Sequence, residues 1–555
     1  MATRDRVAQA THEVLNQSLP LEDYNVFTSD RVLREAVSRE GGDFAIDTIT
    51  AVGAAAGTAR AIEAGFLADR HKPELQLFDR FGHRIDEVSF HPAWHELMEM
   101  HVSHGTHALP WRQPEPGAHV ARAAAFMCMS QTDAGPGCPI SMTYSVIPAL
   151  RKQPELAAVW EPRFTSLSYD PRLIPAEQKA GALAGMAMTE KQGGSDVRAN
   201  TTAAVPLNGG GPGAEYEITG HKWFCSAPMC DAFLVLAQTE SGVSCFLMPR
   251  FLPDGERNRF HIQRLKDKLG NRSNASSEVE FRAAWAQMVG EEGRGVPTII
   301  EMVNHTRLDC TLGTTAGMRL GLAHAIWHTQ HRSAFGKLLV EQPLMRNVLA
   351  DLAVESEAAT VSAMWLARMF DEAHAGNESS TRVRRLATPV LKYFVCKRGP
   401  AHVVEALECL GGNGYVEESG LPRLYRESPL LSIWEGSGNV QALDVLRAMV
   451  KSPESVDAFF AEVEAGSGAD ARLDSFAAET KAELGDLDQI ESRARRIVGR
   501  MARALQGSLL VRYGDAATAD AFCATRLDGD WGEAFGTLPP SADVDRILER
   551  HTPEV

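Results

Sequence analysis

The residues best suited to chemistry in this chain are its histidines, its cysteines and a few carboxylates set among glycine and tryptophan. His101, His104 and His107 recur at every third position, with Glu96 and Glu99 a turn earlier, while His324, His328 and His331 share a helical spacing. Metal ligation needs three or four converging ligands with supporting partners. No known ligand pattern joins these residues, so solvated or packing histidines and no metal are expected. The nine cysteines, from Cys128 to Cys523, stand singly with no CxxC pair. That reads as buried reduced thiols of a cytoplasmic protein, not as a disulfide framework or a zinc site. Glu435 is open to a different chemistry. Flanked by Trp434 and Gly436, its carboxylate can lie in an apolar pocket. Desolvation there lifts a pKa towards neutrality and suits the group to general-base work. The plainer reading is a loop carboxylate satisfied by nearby backbone. There is no GxGxxG after a strand, no Walker loop, no HExxH and no nucleophile elbow, so a dinucleotide would have to bind by a route other than the Rossmann fold.

The elements that must hold such groups follow from pattern and composition. A length of 555 residues suggests roughly three or four modules. With 44% hydrophobic and 23% charged residues, the chain can bury a large core, which excludes a mostly disordered protein. No run approaches the ~18–20 apolar residues of a membrane helix, and the polar N-terminus has no apolar signal core, which argues against export. A net charge of −16 argues against nucleic acid as the default partner. The first ~180 residues alternate helical patterns, such as 94–104 and 118–129, with Pro and Gly punctuation. From 181 to about 289 the pattern turns β-like, at 215–219, 232–237, 244–248 and 277–281, and the glycine-rich run from Asn208 to Gly213 reads as a turn between strands. Helical periods return over 306–330, 344–373, 401–410 and 440–449, and residues 452–555 add two more. No internal repeat is visible. The order helical, β, helical, helical is an α+β arrangement.

Five segments add a more specific signal: Met186–Asp196, Gly220–Ser226, His331–Lys337, Leu410–Tyr415 and Ile433–Asn439. Together, in this order, they resemble the acyl-CoA dehydrogenase family of flavoproteins over roughly residues 80–450. Further stretches, among them Phe90-His-Pro-Ala-Trp-His95, Lys266-Asp-Lys-Leu-Gly-Asn-Arg-Ser-Asn-Ala275 and Asn16-Gln-Ser-Leu-Pro-Leu21, resemble its AidB branch, linked to the adaptive response to alkylation. The resemblance implies a helical domain (1–180), a middle β domain (181–290), a helical bundle (291–450) and an extra C-terminal helical domain (451–555). It implies FAD as cofactor, an acyl thioester as substrate and a homotetramer. By the same resemblance Glu435 is the base that removes the α-proton, while the β-hydride goes to flavin N5. Thr189 matches the pyrimidine edge of the flavin, Ser195 a position near the pyrophosphate and substrate, and Phe224 and Ser226 the pair that covers the ring and reaches its N5 edge; Met188 and Gly194 are implied as cofactor-binding residues beside them. Arg332 and Phe335 match residues lent by a neighbouring subunit, and Gly412, Trp434, Gly436, Ser437 and Asn439 complete the site. Other branches carry the base just before an arginine on an earlier helix; here that position is Thr306, before Arg307, which cannot act as a base. Glu408 stands where many relatives have glutamine near the adenosine.

The AidB branch is also associated with DNA binding through its C-terminal domain, which gives an alternative function: a DNA-associated flavoprotein that protects against alkylation and keeps weak or residual dehydrogenase activity. Residues 451–555 carry 12 Lys and Arg against 20 Asp and Glu, a net of −8, unfavourable for phosphate overall. Arg493, Arg496, Arg500 and Arg503 nevertheless share one helical face, with Arg447 just before the appendage, and such a stripe could track double-stranded DNA. The competing expectation, which the acidic balance favours, is a face paired with the appendage's own carboxylates.

Overall fold

The computed structural model describes residues 11–554. Among the described residues eight α-helices come first: α1 (Arg31–Arg39), α2 (Ile46–Ala56), α3 (Ala59–Arg70), α4 (Pro92–Ser103), α5 (Leu109–Arg112), α6 (Ala118–Met129), α7 (Gly137–Leu150) and α8 (Pro154–Phe164). Their starts follow from capping chemistry. The Asp30 carboxylate accepts from the Leu33 N–H and the Thr58 hydroxyl from the Ala61 N–H, while Pro92 opens α4 where no N–H is needed. Every residue of α6 is buried, and its small side chains let it run through the middle of the molecule against α2, α9 and α10. A short antiparallel pair, β1 (Glu74–Phe78) and β2 (Arg84–Ser89), interrupts this helical region; the helical reading of the first 180 residues did not include it.

The β region holds seven strands: β3 (Ala184–Ala187), β4 (Ala203–Pro206), β5 (Glu215–Ser226), β6 (Ala232–Thr239), β7 (Gly242–Pro249), β8 (Phe260–Leu265) and β9 (Ser276–Val289). Their order is β3-β6-β4-β5-β9-β7, with β8 on β9 and a further β6–β7 pairing, so five strands close on themselves. Closure removes free sheet edges. The interior is filled by Tyr216, Phe233, Phe246, Phe260 and Phe281, with Phe233 stacked on Phe260 at 4.9 Å. The Asn208–Gly213 turn lies between β4 and β5, as its glycines suggested.

Then follow α9 (Gly295–His331), a two-residue hairpin of β10 (Ser333–Ala334) and β11 (Lys337–Leu338), α10 (Pro343–His374), α11 (Glu378–Glu408), α12 (Leu421–Glu427), α13 (Leu430–Ile433) and α14 (Gly438–Lys451). α11 runs unbroken through Pro389 and Pro400. The C-terminal region has α15 (Glu454–Glu464), α16 (Ala471–Gly485), α17 (Ile490–Tyr513), α18 (Ala516–Phe522), a π-helical turn (Cys523–Leu527) and α19 (Val544–His551), more than the two helices expected. It is fastened to α10 by buried charge. Arg526 meets Glu355 at 3.1 Å and Asp351 at 2.5 Å, and Glu357 takes Arg550 at 2.9 Å and His551 at 3.0 Å. Against the cost of burial, the Arg398 and Arg526 guanidiniums hold the Glu355 carboxyl down at about 2, and the His551 hydrogen bond with the Arg550 guanidinium does the same for Glu357. Among the described residues no helix is long and apolar enough to cross a membrane.

Candidate active site

Glu435 occupies the loop between α13 and α14, in a left-handed conformation (φ 58°) that a non-glycine residue adopts only when its surroundings enforce it. Three side chains do so. Lys392, buried in α11, donates to the carbonyls of Trp434 at 2.8 Å and Gly436 at 2.6 Å, one on each side of the glutamate. Gln441 donates to the Glu435 and Gly436 carbonyls, both at 2.9 Å. Arg307 donates to the Glu435 carbonyl at 3.1 Å and is itself anchored on Asp444 at 2.8 Å. Among the described residues the Glu435 N–H makes no hydrogen bond, which leaves it for a ligand.

The carboxylate end is as constrained as the backbone. Thr306 on α9 donates its hydroxyl to Glu435 Oε2 at 2.7 Å, and the same hydroxyl lies 3.0 Å from the Val303 carbonyl. Thr306 and Glu435 thus face each other across one hydrogen bond. Burial pushes the Glu435 carboxyl above its ordinary value, and the Thr306 hydroxyl, the Lys392 ammonium and the Arg307 guanidinium moderate that rise. Cys138, near the start of α7, senses Glu435 as a neighbouring charge, and the Ser226 and Asn274 side chains lie against its thiol. Burial pushes that thiol up to about 12, so it is a packing group and not a nucleophile. Through Cys138 the end of β5 and the Glu435 loop reach one place.

Met188, Thr189, Gly194, Ser195, Phe224 and Ser226, which the sequence resemblance assigns to the cofactor, lie on or beside the β region. The Trp223 N–H donates to the Thr189 carbonyl at 2.8 Å, which sets Thr189 beside Phe224 on β5. Behind them Lys222 and Glu190 form a fully buried pair at 2.8 Å, and Glu190 also takes the Thr201 and Thr202 N–H groups. The Asn200 amide holds the Met188 carbonyl at 3.0 Å. A side chain at Gly194 would meet the Thr189 hydroxyl at 2.4 Å, so the tight loop needs glycine there. Ser195 is exposed, and Phe224 is 50% exposed, a large apolar ring left for something to cover.

Arg332, Phe335 and Gly412 do not join Glu435. Arg332 follows the end of α9, 26 residues beyond Thr306, so the two are separated by roughly 39 Å of helix at 1.5 Å per residue. Phe335 is 100% exposed at φ 52°. Among the described residues Arg332 has no carboxylate partner, in place of a surface salt bridge. A side chain at Gly412 would meet nothing. Trp434 keeps a buried indole N–H without a partner, and Ser437 and Asn439 stand exposed at the start of α14. These groups fit a long cofactor that is flat at one end and anionic at the other: exposed rings, a guanidinium with no carboxylate partner among the described residues, open glycine backbone and an unused donor.

Other candidates are accounted for by packing. His101 bonds Thr106, His107 the Ser166 carbonyl and His328 the Ser18 hydroxyl. Among the described residues no three metal-ligating side chains converge. All nine cysteines are buried and unpaired. The basic stripe of α17 does not stand free. Arg493 donates to the carbonyls of Glu483, Asp486 and Asp488, Arg496 pairs with Glu483 at 2.8 Å, Arg500 with Glu479 at 2.9 Å, and Arg503 donates to the Arg526 carbonyl. These four arginines lie on one helix and bond to α16, the loop after it and the π-helical turn. Arg447 lies on α14, outside this stripe. Sequence reasoning missed Lys392, Gln441 and the Thr306 bond; a lone lysine or glutamine in a long helix carries no motif.

Residues 16–171 match the family model "Adaptive response protein AidB N-terminal domain", residues 185–284 "Acyl-CoA dehydrogenase, middle domain" and residues 293–450 "Acyl-CoA dehydrogenase, C-terminal domain". The chain is 46% identical over 523 residues to the AidB protein of Escherichia coli (strain K12), covering 93% of this chain and 95% of that one. It is 29% identical to acyl-CoA dehydrogenase family member 11 of Caenorhabditis elegans over 88% of this chain and 85% of that one. Among solved structures, C. elegans ACDH-11 in complex with C11-CoA superposes with a TM-score of 0.83 at 26% identity, covering 93% of this chain and 94% of that one. The apo-form of Bd2924 does so with a TM-score of 0.82 at 27% identity, covering 90% and 99%.

Proposed function

The chain belongs to the acyl-CoA dehydrogenase family, in the branch that carries the AidB N-terminal domain, and from that premise we propose that it is an FAD-dependent oxidoreductase acting on an acyl-CoA thioester, with Glu435 as the base. The observation that carries this reading is the Glu435 loop: a carboxylate desolvated, fixed in a left-handed turn, and set beside its own unused N–H.

Met188, Thr189, Gly194, Ser195, Phe224, Ser226 and Trp434 would hold the flavin ring and its near phosphate. Arg332, Phe335 and Gly412 would hold the adenosine diphosphate end for a second copy, because helix length keeps them from the chain's own Glu435. Self-association is therefore part of the proposal. When bound, FAD supplies the acceptor for the hydride leaving the β-carbon. The chain's own residues prepare that event. A thioester carbonyl placed at the Glu435 N–H becomes polarised, which acidifies the α-carbon. The raised pKa of Glu435 matches a base to its task. As a carboxylate it accepts a hydrogen bond from the Thr306 hydroxyl at Oε2, which fixes that oxygen and leaves Oε1, the one without a protein donor among the described residues, to take the α-proton.

The test is an anaerobic panel of acyl-CoAs of increasing chain length added to the purified holoprotein. Bleaching of the flavin absorbance by at least one thioester, abolished in Glu435→Gln, is the expected result. No bleaching at any chain length removes the proposal.

A further inference from the structure

The N-terminal segment before α1 contains four consecutive residues that reach across more than 300 positions of sequence. The Asn16 amide donates to the Ser333 carbonyl at 2.9 Å, and its oxygen accepts from the Ser333 N–H at 2.7 Å and hydroxyl at 2.9 Å. Its backbone carbonyl accepts from Arg332 Nη1 at 2.5 Å. Gln17 accepts from the Asn413 amide at 3.3 Å, Ser18 bonds His328 at 3.0 Å, and the Leu19 carbonyl accepts from the Trp327 indole at 2.8 Å. One short strap thereby joins the last turn of α9, the β10–β11 hairpin and the 411–415 turn.

This hairpin needs outside support. It pairs Ser333 with Leu338 and Ala334 with Lys337, extended by the Leu339 N–H on the Arg332 carbonyl at 2.8 Å and the Gln342 amide on the Ala334 carbonyl at 3.1 Å, and two-stranded ribbons are marginal on their own. At its tip Phe335 sits at φ 52° and Gly336 at φ 79°. Asn16 supplies the missing neighbour, because its amide pairs with both backbone groups of Ser333 as a further strand would. Asn16 is itself left-handed at φ 56°, a conformation asparagine tolerates better than most residues. The strap is not held by apolar burial: Val14, Leu15 and Leu19 point outwards at 72%, 67% and 76% exposure. Its contacts are polar and fall on the residues assigned to the cofactor's far end.

We propose that Asn16 is a positioning residue: it fixes the Arg332–Phe335 hairpin, and through Gln17 the Gly412 turn, in the geometry that receives the adenosine diphosphate portion of FAD bound to a second copy of the chain. The inference rests on the proposed role of Arg332, and its test separates the two. Apoproteins of wild type, Asn16→Gly and Arg332→Ala are titrated with FAD, followed by quenching of flavin fluorescence, and their Tm is measured before FAD is added. Glycine keeps the left-handed backbone and removes only the side chain. Asn16→Gly is expected to weaken FAD binding about tenfold, as loss of a small set of polar contacts does, with the Tm of the apoprotein unchanged. If Arg332→Ala weakens binding and Asn16→Gly does not, the inference fails and the role of Arg332 stands. If neither weakens it, both fail. A lower apoprotein Tm accompanying the weaker binding of Asn16→Gly shows a merely structural contact and overturns the inference.

Discussion

Thr306→Val removes the hydroxyl that donates to Glu435 Oε2 at 2.7 Å while keeping the size and branching of the side chain. Hydrogen bonds to charged groups are worth about 1.5–3 kcal/mol, and one pKa unit corresponds to about 1.4 kcal/mol. The bond stabilises the carboxylate, so its loss raises a pKa that burial has already raised. Water admitted on the ligand side recovers part of the loss, and a net rise of about one unit is expected. The base must be ionised to act, so the rate climbs with pH through this pKa. In Thr306→Val the acidic limb therefore moves to higher pH by about one unit, and the rate well below the limb falls about tenfold. The assay is the rate of anaerobic flavin bleaching in single-turnover mixing between pH 5 and 9, which needs no external electron acceptor. Thr306→Ser should restore the wild-type limb. An unmoved limb, or one displaced to lower pH, refutes the placement of Thr306 against the base.

Lys392→Met strips the ammonium from the Trp434 and Gly436 carbonyls and from beneath the carboxyl; Gln441 still holds the Gly436 carbonyl, so urea unfolding should show a loss of about 1–3 kcal/mol for the one orphaned carbonyl, and the acidic limb of bleaching should again move up. Burial and the neighbouring Asp133 push Glu427 up to about 7 from the ordinary 4.5. A raised carboxyl withdraws stability as pH climbs from 4.5 through 7, by on the order of 2–3 kcal/mol. Glu427→Gln, checked by urea midpoints at pH 5 and pH 8, should therefore gain stability over wild type at the higher pH only. Arg526→Met leaves Asp351 and Glu355 buried with one cation fewer and should cost about 3–5 kcal/mol. In wild type the contributions of Glu355 and Glu357, held at about 2, are present above pH 4.5 and fade as pH falls towards 2, which acid unfolding monitored by Trp fluorescence would register.

The parts of the site that the sequence disclosed are those written in contiguous runs. Met188 to Ser195 and Trp434 to Asn439 each form a single loop, so their neighbours in space are also their neighbours in sequence. The groups that make those loops rigid come from elsewhere. Lys392 is one position in a 31-residue helix, and only the fold brings its ammonium under the glutamate loop. Pattern reading found only 401–410 of α11, which begins at Glu378; Pro389 and Pro400 lack backbone donors within it, and packing of that helix against α9 and α10 outweighs the two missing hydrogen bonds. The β1–β2 pair was lost because five residues of alternation between two helices carry little signal. In α17 the acidic balance of the appendage pointed to arginines paired with its own carboxylates, and the fold supplies Glu479 and Glu483 of α16 as the partners, which composition alone does not name.

The most direct measurement is deuterium wash-in at the α-carbon of an acyl-CoA incubated with the holoprotein in D2O and followed by mass spectrometry. The wild-type protein should introduce one α-deuterium at a rate that rises with pH through the Glu435 pKa, and Glu435→Gln, with its flavin still bound, should introduce none. Exchange that persists in Glu435→Gln would place the base on another residue and contradict the account.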